Sequence, residues 1–260
     1  MTRDEVNLHL LNAQFRFAKS MPEIPHWYTL RETWNDQAFV EVAKYIRQHG
    51  RSERFGNKTY IYYYLNGYKY WTMGCPLHNC PKTGTILINK AQATYRTPYN
   101  KIANVYDSLF KEDEYIQENK EVIDMIQATG HVLDIGCGTG LFLDYTDWPD
   151  YTGIDISHNM IQVLKDKHPH AEAYTCSYRD FCSFGKVDTI IALYGVASYL
   201  SPEELKDIER SDADRIFLMA YKEGYFPKTY QMTNIRAMMR NTGNLGLKKQ
   251  EYHNYIIYSR

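Results

Sequence analysis

Val132-Leu133-Asp134-Ile135 runs directly into Gly136-Cys137-Gly138-Thr139-Gly140, an apolar strand followed by a glycine-rich turn. Glycines at such a strand-to-helix turn let the backbone take left-handed dihedrals and come close to a ligand. A nicotinamide-type fingerprint, G-x-G-x-x-G, needs its third glycine at the position of Leu141, so the spacing here is G-x-G-x-G instead. Fifteen residues after Gly140, Asp155 stands at the end of the next apolar run, where the two oxygens of one carboxylate can hold two ribose hydroxyls. This is chemistry for a ribose-bearing ligand at the carboxyl edge of a sheet. Cys75-Pro-Leu-His78-Asn-Cys80 supplies Cys, His and Cys, but a structural zinc takes four ligands and no second knuckle is evident, so no metal is expected.

The elements that must position these residues alternate. Strands are predicted over 131–136, 151–156, 171–176, 187–194 and 215–221, and helices over 140–147, 157–167, 201–210 and 229–240. Ser201-Pro-Glu-Glu is a helix start, and Leu247–Tyr252 with Tyr255–Tyr258 reads as a closing hairpin around His253-Asn254. Such alternation specifies an α/β fold with a doubly wound, mostly parallel sheet. Helical text over 101–129 precedes it, behind a linker at Tyr95–Asn100. The first 95 residues read differently, as helices over 4–19 and 36–49, the latter stopped by Gly50. Two strand runs, Tyr60–Leu65 and Tyr68–Met73, are joined by Asn66-Gly67, the strongest short hairpin signal. With Thr85–Ile88 as a third strand, residues 1–95 form a small α+β module and residues 96–260 the ligand-binding domain.

Composition sets outer bounds. With 260 residues, 44% apolar and 23% charged, the chain has ample material for a core and is not a disordered protein. No run approaches the ~18 apolar residues of a membrane span, and the charged start lacks a signal-peptide core, so a cytoplasmic protein without a membrane partner is expected. Five cysteines point to reduced thiols rather than a disulfide framework. Lys plus Arg and Asp plus Glu nearly balance, 30 against 31, but residues 1–95 carry a net +5 and the remainder −6. The asymmetry suggests that the first third meets something anionic. Tyrosine is heavily used, at 24 of 260 residues.

With the glycine loop, Asp155 and the following α/β alternation in view, residues 96–260 resemble the class I, seven-stranded, Rossmann-like S-adenosylmethionine-dependent methyltransferases. The resemblance implies that Asp134, Gly136, Cys137, Gly138 and Gly140 form the first cofactor motif, with Asp134 supporting the amino group of the methionine part or the loop itself. It further implies that Asp155 binds the ribose, that Ile156 and Met160 flank the adenine, and that Asp180, beside Phe181, accepts from the adenine amino group, with Ser177 and Arg179 as alternatives. Tyr99 and Tyr106 lie in a segment similar to the one that folds over the cofactor in many members, and Leu193 ends the fourth strand at the site.

The acceptor is less sharply marked. Amino-methyltransferases of DNA bases carry a [DNS]-P-P-[YFW] motif after strand four and cytosine-C5 enzymes a Pro-Cys nucleophile, and Ala192–Leu200 contains neither. Thr189–Leu200 also lacks any Asp, Glu, Lys or His to act as general base. Methyl transfer from a sulfonium needs orientation more than acid-base help, and Tyr194 is the leading catalytic-pocket residue. These features favour a small-molecule or nucleotide acceptor, shaped by the amino-terminal module. Two alternatives remain: a nucleic-acid acceptor held by His26-Trp27-Tyr28, the tyrosine hairpin and the module's net positive charge, against which the strongest basic cluster, Arg47, Arg51 and Arg54, lies around a helix end where carbonyl dipoles already favour cations; or a non-catalytic S-adenosylmethionine-binding module.

Overall fold

The computed structural model describes residues 1–20, 28–29, 36–55, 58–65, 68–73, 85–90, 97–181, 186–229, 232 and 245–260. They fall into two compact units, Met1–Ala93 with Asp180–Phe184, and Thr94–Arg179 with Gly185–Arg260. The Cys75–Cys80 segment, His26-Trp27, the Asn66-Gly67 turn and nearly all of the helix expected over 229–240 lie outside the described residues. No helix among the described residues is long and apolar enough to cross a membrane.

In the first unit, α1 (Arg3–Ser20) and α2 (Asp36–His49) accompany a five-stranded sheet ordered β1-β5-β4-β3-β2. Its strands are β1 (Tyr28–Thr29), β2 (Arg51–Phe55), β3 (Lys58–Leu65), β4 (Tyr68–Met73) and β5 (Thr85–Lys90). Val6, Leu10, Val42 and Ile46 of the helices bury against Leu65 and Tyr70 of the sheet. Much of the tyrosine is accounted for here, because a ring can fill the core while its hydroxyl finds a partner: Tyr70 donates to the Leu10 carbonyl (2.9 Å) and Tyr63 to Asn7 Oδ1 (3.1 Å). Leu65 pairs directly with Tyr68, the register of a two-residue hairpin connection. The sequence reading missed β2. Gly50 does end α2, since a Cβ there would stand 2.4 Å from the Ile46 carbonyl oxygen, but Arg51 and Arg54 then sit on an edge strand rather than around a helix end.

The second unit carries a seven-stranded sheet ordered β11-β12-β10-β9-β6-β7-β8. Strands β6 (Val132–Ile135), β7 (Tyr151–Asp155), β8 (Glu172–Thr175), β9 (Thr189–Ala192) and β10 (Arg215–Tyr221) are parallel, and the hairpin of β11 (Lys248–Tyr252) and β12 (Tyr255–Ser259) closes the β10 edge antiparallel. Runs such as Thr189–Ala192 are buried throughout, as strands covered on both faces require. The chain builds from β6 outward through β7 to β8, then returns to the other side of β6 with β9. The crevice between the ends of β6 and β9 is therefore the topological switch point, where open α/β sheets place their ligands. Around the sheet lie α3 (Tyr99–Tyr106), α4 (Asp113–Ile126), α5 (Leu141–Thr146), α6 (His158–Lys167) and α7 (Pro202–Arg210). Ser201 and Glu204 close a reciprocal capping box on α7, as the Ser-Pro-Glu-Glu text predicts.

Ser157, fully buried, caps α6 by accepting from the Met160 N–H (3.3 Å) and donates its hydroxyl to Asn100 Oδ1 on α3 (2.8 Å). Asn159 completes this clamp by donating from its side chain to the Asn100 carbonyl (2.7 Å). Ser157→Ala loses the cap on α6 and one of the hydrogen bonds to Asn100 Oδ1, so the variant should be less stable by about 1–2 kcal/mol. A urea titration checks this as a lower midpoint at an unchanged slope.

Candidate functional site

The switch point opens into a cavity of about 820 Å³ whose walls, among the described residues, all belong to the second unit. Its floor is the glycine loop. Gly136, Gly138 and Gly140 have φ of +69°, +56° and +93°, so the loop needs glycine on conformational grounds. A Cβ on Gly138 would meet no atom within 4 Å, which leaves the space above that residue open to a ligand.

Asp155 organises this floor. Its Oδ2 accepts from the Gly138 N–H (3.1 Å) and its Oδ1 from the Ser157 N–H (2.6 Å), so one carboxylate braces the loops after β6 and β7 together. Burial pushes the carboxyl up to about 6, against the pull of those two donors. Asp134 lies deeper, accepting from the Tyr151 hydroxyl (3.0 Å), and burial pushes it up to about 8, with Tyr151 lowering and Asp155 raising it. Beside the loop, Thr139 donates to Asp107, while Lys167 bridges Asp107 (3.0 Å) and Asp144 (2.6 Å), tying the segment after α3 to α5 and α6.

Of the residues named from sequence, Tyr99, Tyr106, Asp134, Gly136, Cys137, Gly138, Asp155, Ile156, Met160, Leu193 and Tyr194 line the one cavity. Met160 is at once core, packed with Ile102 and Ala103, and wall. Gly140 is not a wall residue; it opens α5, and its close neighbours are Leu164 and His168. Asp180 and Phe181 are not wall residues either. Both Asp180 oxygens accept from the Arg51 guanidinium (2.7 and 3.0 Å), and Asp180 groups with the first unit. After β8 the cavity is walled by Cys176, Ser177 and Tyr178.

Tyr194 has φ of +46°, rare for a bulky residue, and is followed by Gly195 at +86°, where a Cβ would collide with the Tyr221 ring. Its hydroxyl donates to Asn119 Oδ1, and burial pushes the phenol well above its ordinary range, so Tyr194 is a fixed wall and not a proton acceptor. Asn119 of α4, which also donates to the Tyr145 hydroxyl (3.2 Å), has no signature in sequence because its partner stands 75 residues away.

Residues 132–211 match the family described as methyltransferase domain. The dTDP-3-amino-3,4,6-trideoxy-alpha-D-glucopyranose N,N-dimethyltransferase of Streptomyces venezuelae is 24% identical over 140 residues, covering 49% of this chain and 59% of that protein. An uncharacterized protein of Methanocaldococcus jannaschii is 39% identical over 70 residues, 26% of this chain and 27% of its own length. Among solved structures, DesVI of Streptomyces venezuelae is similar with a TM-score of 0.40 at 23% identity, over 48% of this chain and 60% of that one. A Haemonchus contortus phosphoethanolamine N-methyltransferase 2 in complex with S-adenosyl-L-methionine has a TM-score of 0.46 at 12% identity, over 95% and 68%. The chain thus spans 59% of the first of these curated relatives.

The cavity fits S-adenosylmethionine on its own chemistry: open space over Gly138, a braced carboxylate at the end of β7, and apolar Ile156 and Met160 next to it. Asp155→Ala should weaken S-adenosylhomocysteine binding by about 1.5–3 kcal/mol, the scale of hydrogen bonds to a charged group, measured by calorimetry on the folded variant. Asp134 has a second, pH-dependent consequence. Its folded pKa exceeds the unfolded one, so the native state binds more protons and stability falls as pH rises from about 4 to about 8. Between pH 7 and 8 Asp155 is already largely ionised, and Asp134→Asn should flatten the wild-type decline over that interval in denaturant titrations.

Proposed function

We propose that the second unit, a Rossmann-like S-adenosylmethionine-dependent methyltransferase domain, methylates a small molecule bound in the same cavity. The observation that carries this reading is the continuity of the cavity: the glycine loop and Asp155 on one side, and a wall of Tyr194, Tyr199, Tyr221, Tyr225 and Tyr255 on the other. S-adenosylmethionine supplies, when bound, an activated methyl group on a sulfonium. The chain's part is then to hold, orient and dehydrate. Asp155 holds the ribose, Ile156 and Met160 flank the base, Ser177 and Tyr178 border it after β8, and Tyr99 and Tyr106 of α3 cover the site. Tyr194, its hydroxyl committed to Asn119, orients the acceptor with its ring. The sugar nucleotide named for the Streptomyces relative supports a small acceptor.

The amino-terminal unit supplies none of the described lining of this cavity. A nucleic acid is disfavoured as its ligand by the hairpin rings themselves. Trp71 is buried, and the Lys69 ammonium already lies 4.4 Å from the Tyr62 ring centre and 5.2 Å from that of Trp71, so neither offers a bare stacking face.

Gly138→Val fills the ligand's space from a backbone position that valine adopts with strain, so it should abolish S-adenosylhomocysteine binding while circular dichroism retains the folded spectrum. Transfer of labelled methyl from S-adenosylmethionine to a small-molecule fraction by the wild type, absent in Gly138→Val, supports the proposal. Cofactor binding without transfer to any acceptor makes the protein a binding module. An oligonucleotide bound tightly at ~50 mM salt and released at ~200 mM makes nucleic acid the acceptor.

A further inference from the structure

The acceptor side of the cavity has its own electrostatic character. Tyr194 meets Tyr255 at 77° with ring centres 5.7 Å apart, and Tyr225 meets Tyr255 at 63° and 6.1 Å. Rings set steeply to one another make a corner and not a slot. A flat base or aromatic acceptor is held between parallel rings; here the edge of one ring meets the face of the next, which leaves no slot for a flat guest, while the tyrosine rings and the Glu118 carboxylate on the same cavity give it the electron-rich character that suits a compact cation.

Glu118 lies at this corner. It sits on α4 next to Asn119, the partner of Tyr194, and lines the cavity half-buried. Among the described residues its carboxylate has no hydrogen bond or ion pair, and its charge acts on the phenols of Tyr194, Tyr225 and Tyr255, each of which it raises. The charged groups around it leave it without a fixed counter-ion. Glu121 is engaged by Gln117 (2.9 Å) and Tyr252 (2.8 Å), and Glu114 adds a like charge. Lys228 is committed to Glu112 (2.9 Å) and the Leu109 carbonyl (2.8 Å), and among the described residues His253 is the one other basic residue on the walls, where its charge opposes that of the neighbouring glutamates on Glu118. A cation on a ring of this cavity is already present: the Lys228 ammonium stands 5.1 Å from the centre of Tyr115.

We infer that the acceptor is a small-molecule amine that docks as its ammonium at Tyr194, Tyr225 and Tyr255 with Glu118 as counter-ion, and that it gives one N–H proton to the Glu118 carboxylate, so that the freed nitrogen lone pair forms the new C–N bond as the S–CH3 bond breaks to leave the thioether. The inference rests on the reading of this cavity as the acceptor site of a methyltransferase, and it adds the chemical class of the acceptor and the residues that select it.

The test uses the full chain saturated with S-adenosylhomocysteine and two probes of equal shape, choline and its uncharged carbon isostere 3,3-dimethyl-1-butanol, titrated by calorimetry. Choline should bind about tenfold or more tighter than the isostere, the scale of a desolvated cation between aromatic faces. Glu118→Gln should erase most of that preference with S-adenosylhomocysteine affinity unchanged. Tyr225→Leu should reduce it and Tyr225→Phe retain it, because the ring and not the hydroxyl is the recognition element. Equal binding of both probes, or of neither, by a protein that binds S-adenosylhomocysteine overturns the inference and leaves the methyltransferase reading standing. Loss of S-adenosylhomocysteine binding in Glu118→Gln also overturns it, since Glu118 would then serve the cofactor. Failure of the wild type to bind S-adenosylhomocysteine overturns both.

Discussion

The carboxylate of Asp155 holds two loops in one place. It accepts from the backbone of Gly138 after β6 and of Ser157 after β7, so the glycine turn and the start of α6 share a single anionic anchor. The rest of the site hangs on that anchor. Ser157 carries it onward by capping α6 and bonding Asn100, which fixes α3 and with it Tyr99 and Tyr106 at the cavity. Desolvating this carboxylate costs free energy, visible in its raised pKa, and the two amide donors offset part of that cost. The site is thus pre-organised by backbone hydrogen bonds, which do not need a ligand to hold them.

Around this anchor the unit divides its chemistry by wall. The floor under the cofactor is built of glycine, backbone, the buried Asp134 and the half-buried Asp155, while the opposite wall is built of tyrosine rings and glutamates. Tyrosine suits that wall because each ring supplies apolar surface and a hydroxyl that locks its orientation, as Tyr194 is locked by Asn119. The left-handed Tyr194-Gly195 pair is the backbone counterpart. It turns the chain sharply after β9 so that a bulky ring faces the cavity, and the packing of Gly195 on Tyr221 over-determines that strained geometry.

What could be read from sequence follows the range of the interactions. The parallel strands, the glycine loop and Asp155 were legible because they are local patterns: buried apolar runs, a turn that needs left-handed dihedrals, and an acid at a strand end. The hairpin β3-β4 was legible for the same reason. Strand β2 was not, since Arg51-Ser-Glu-Arg has no alternation of apolar residues and its place comes from pairing with β3. Long-range partners were equally silent, as with Asn100 and Ser157 or Asn119 and Tyr194. Asp180 is the converse case: an acid at the expected place after β8, whose carboxylate is bound by a guanidinium 129 residues away in sequence, while neighbouring Ser177 and Tyr178 reach the cavity.

The three rings of the aromatic corner come from three separate stretches of chain: the turn after β9, the segment after β10, and the start of β12. None of them belongs to the glycine loop or to the Asp155 anchor. A single ring of the proposed acceptor pocket can therefore be exchanged for a smaller or differently charged side chain without altering any residue of the glycine loop or the Asp155 anchor.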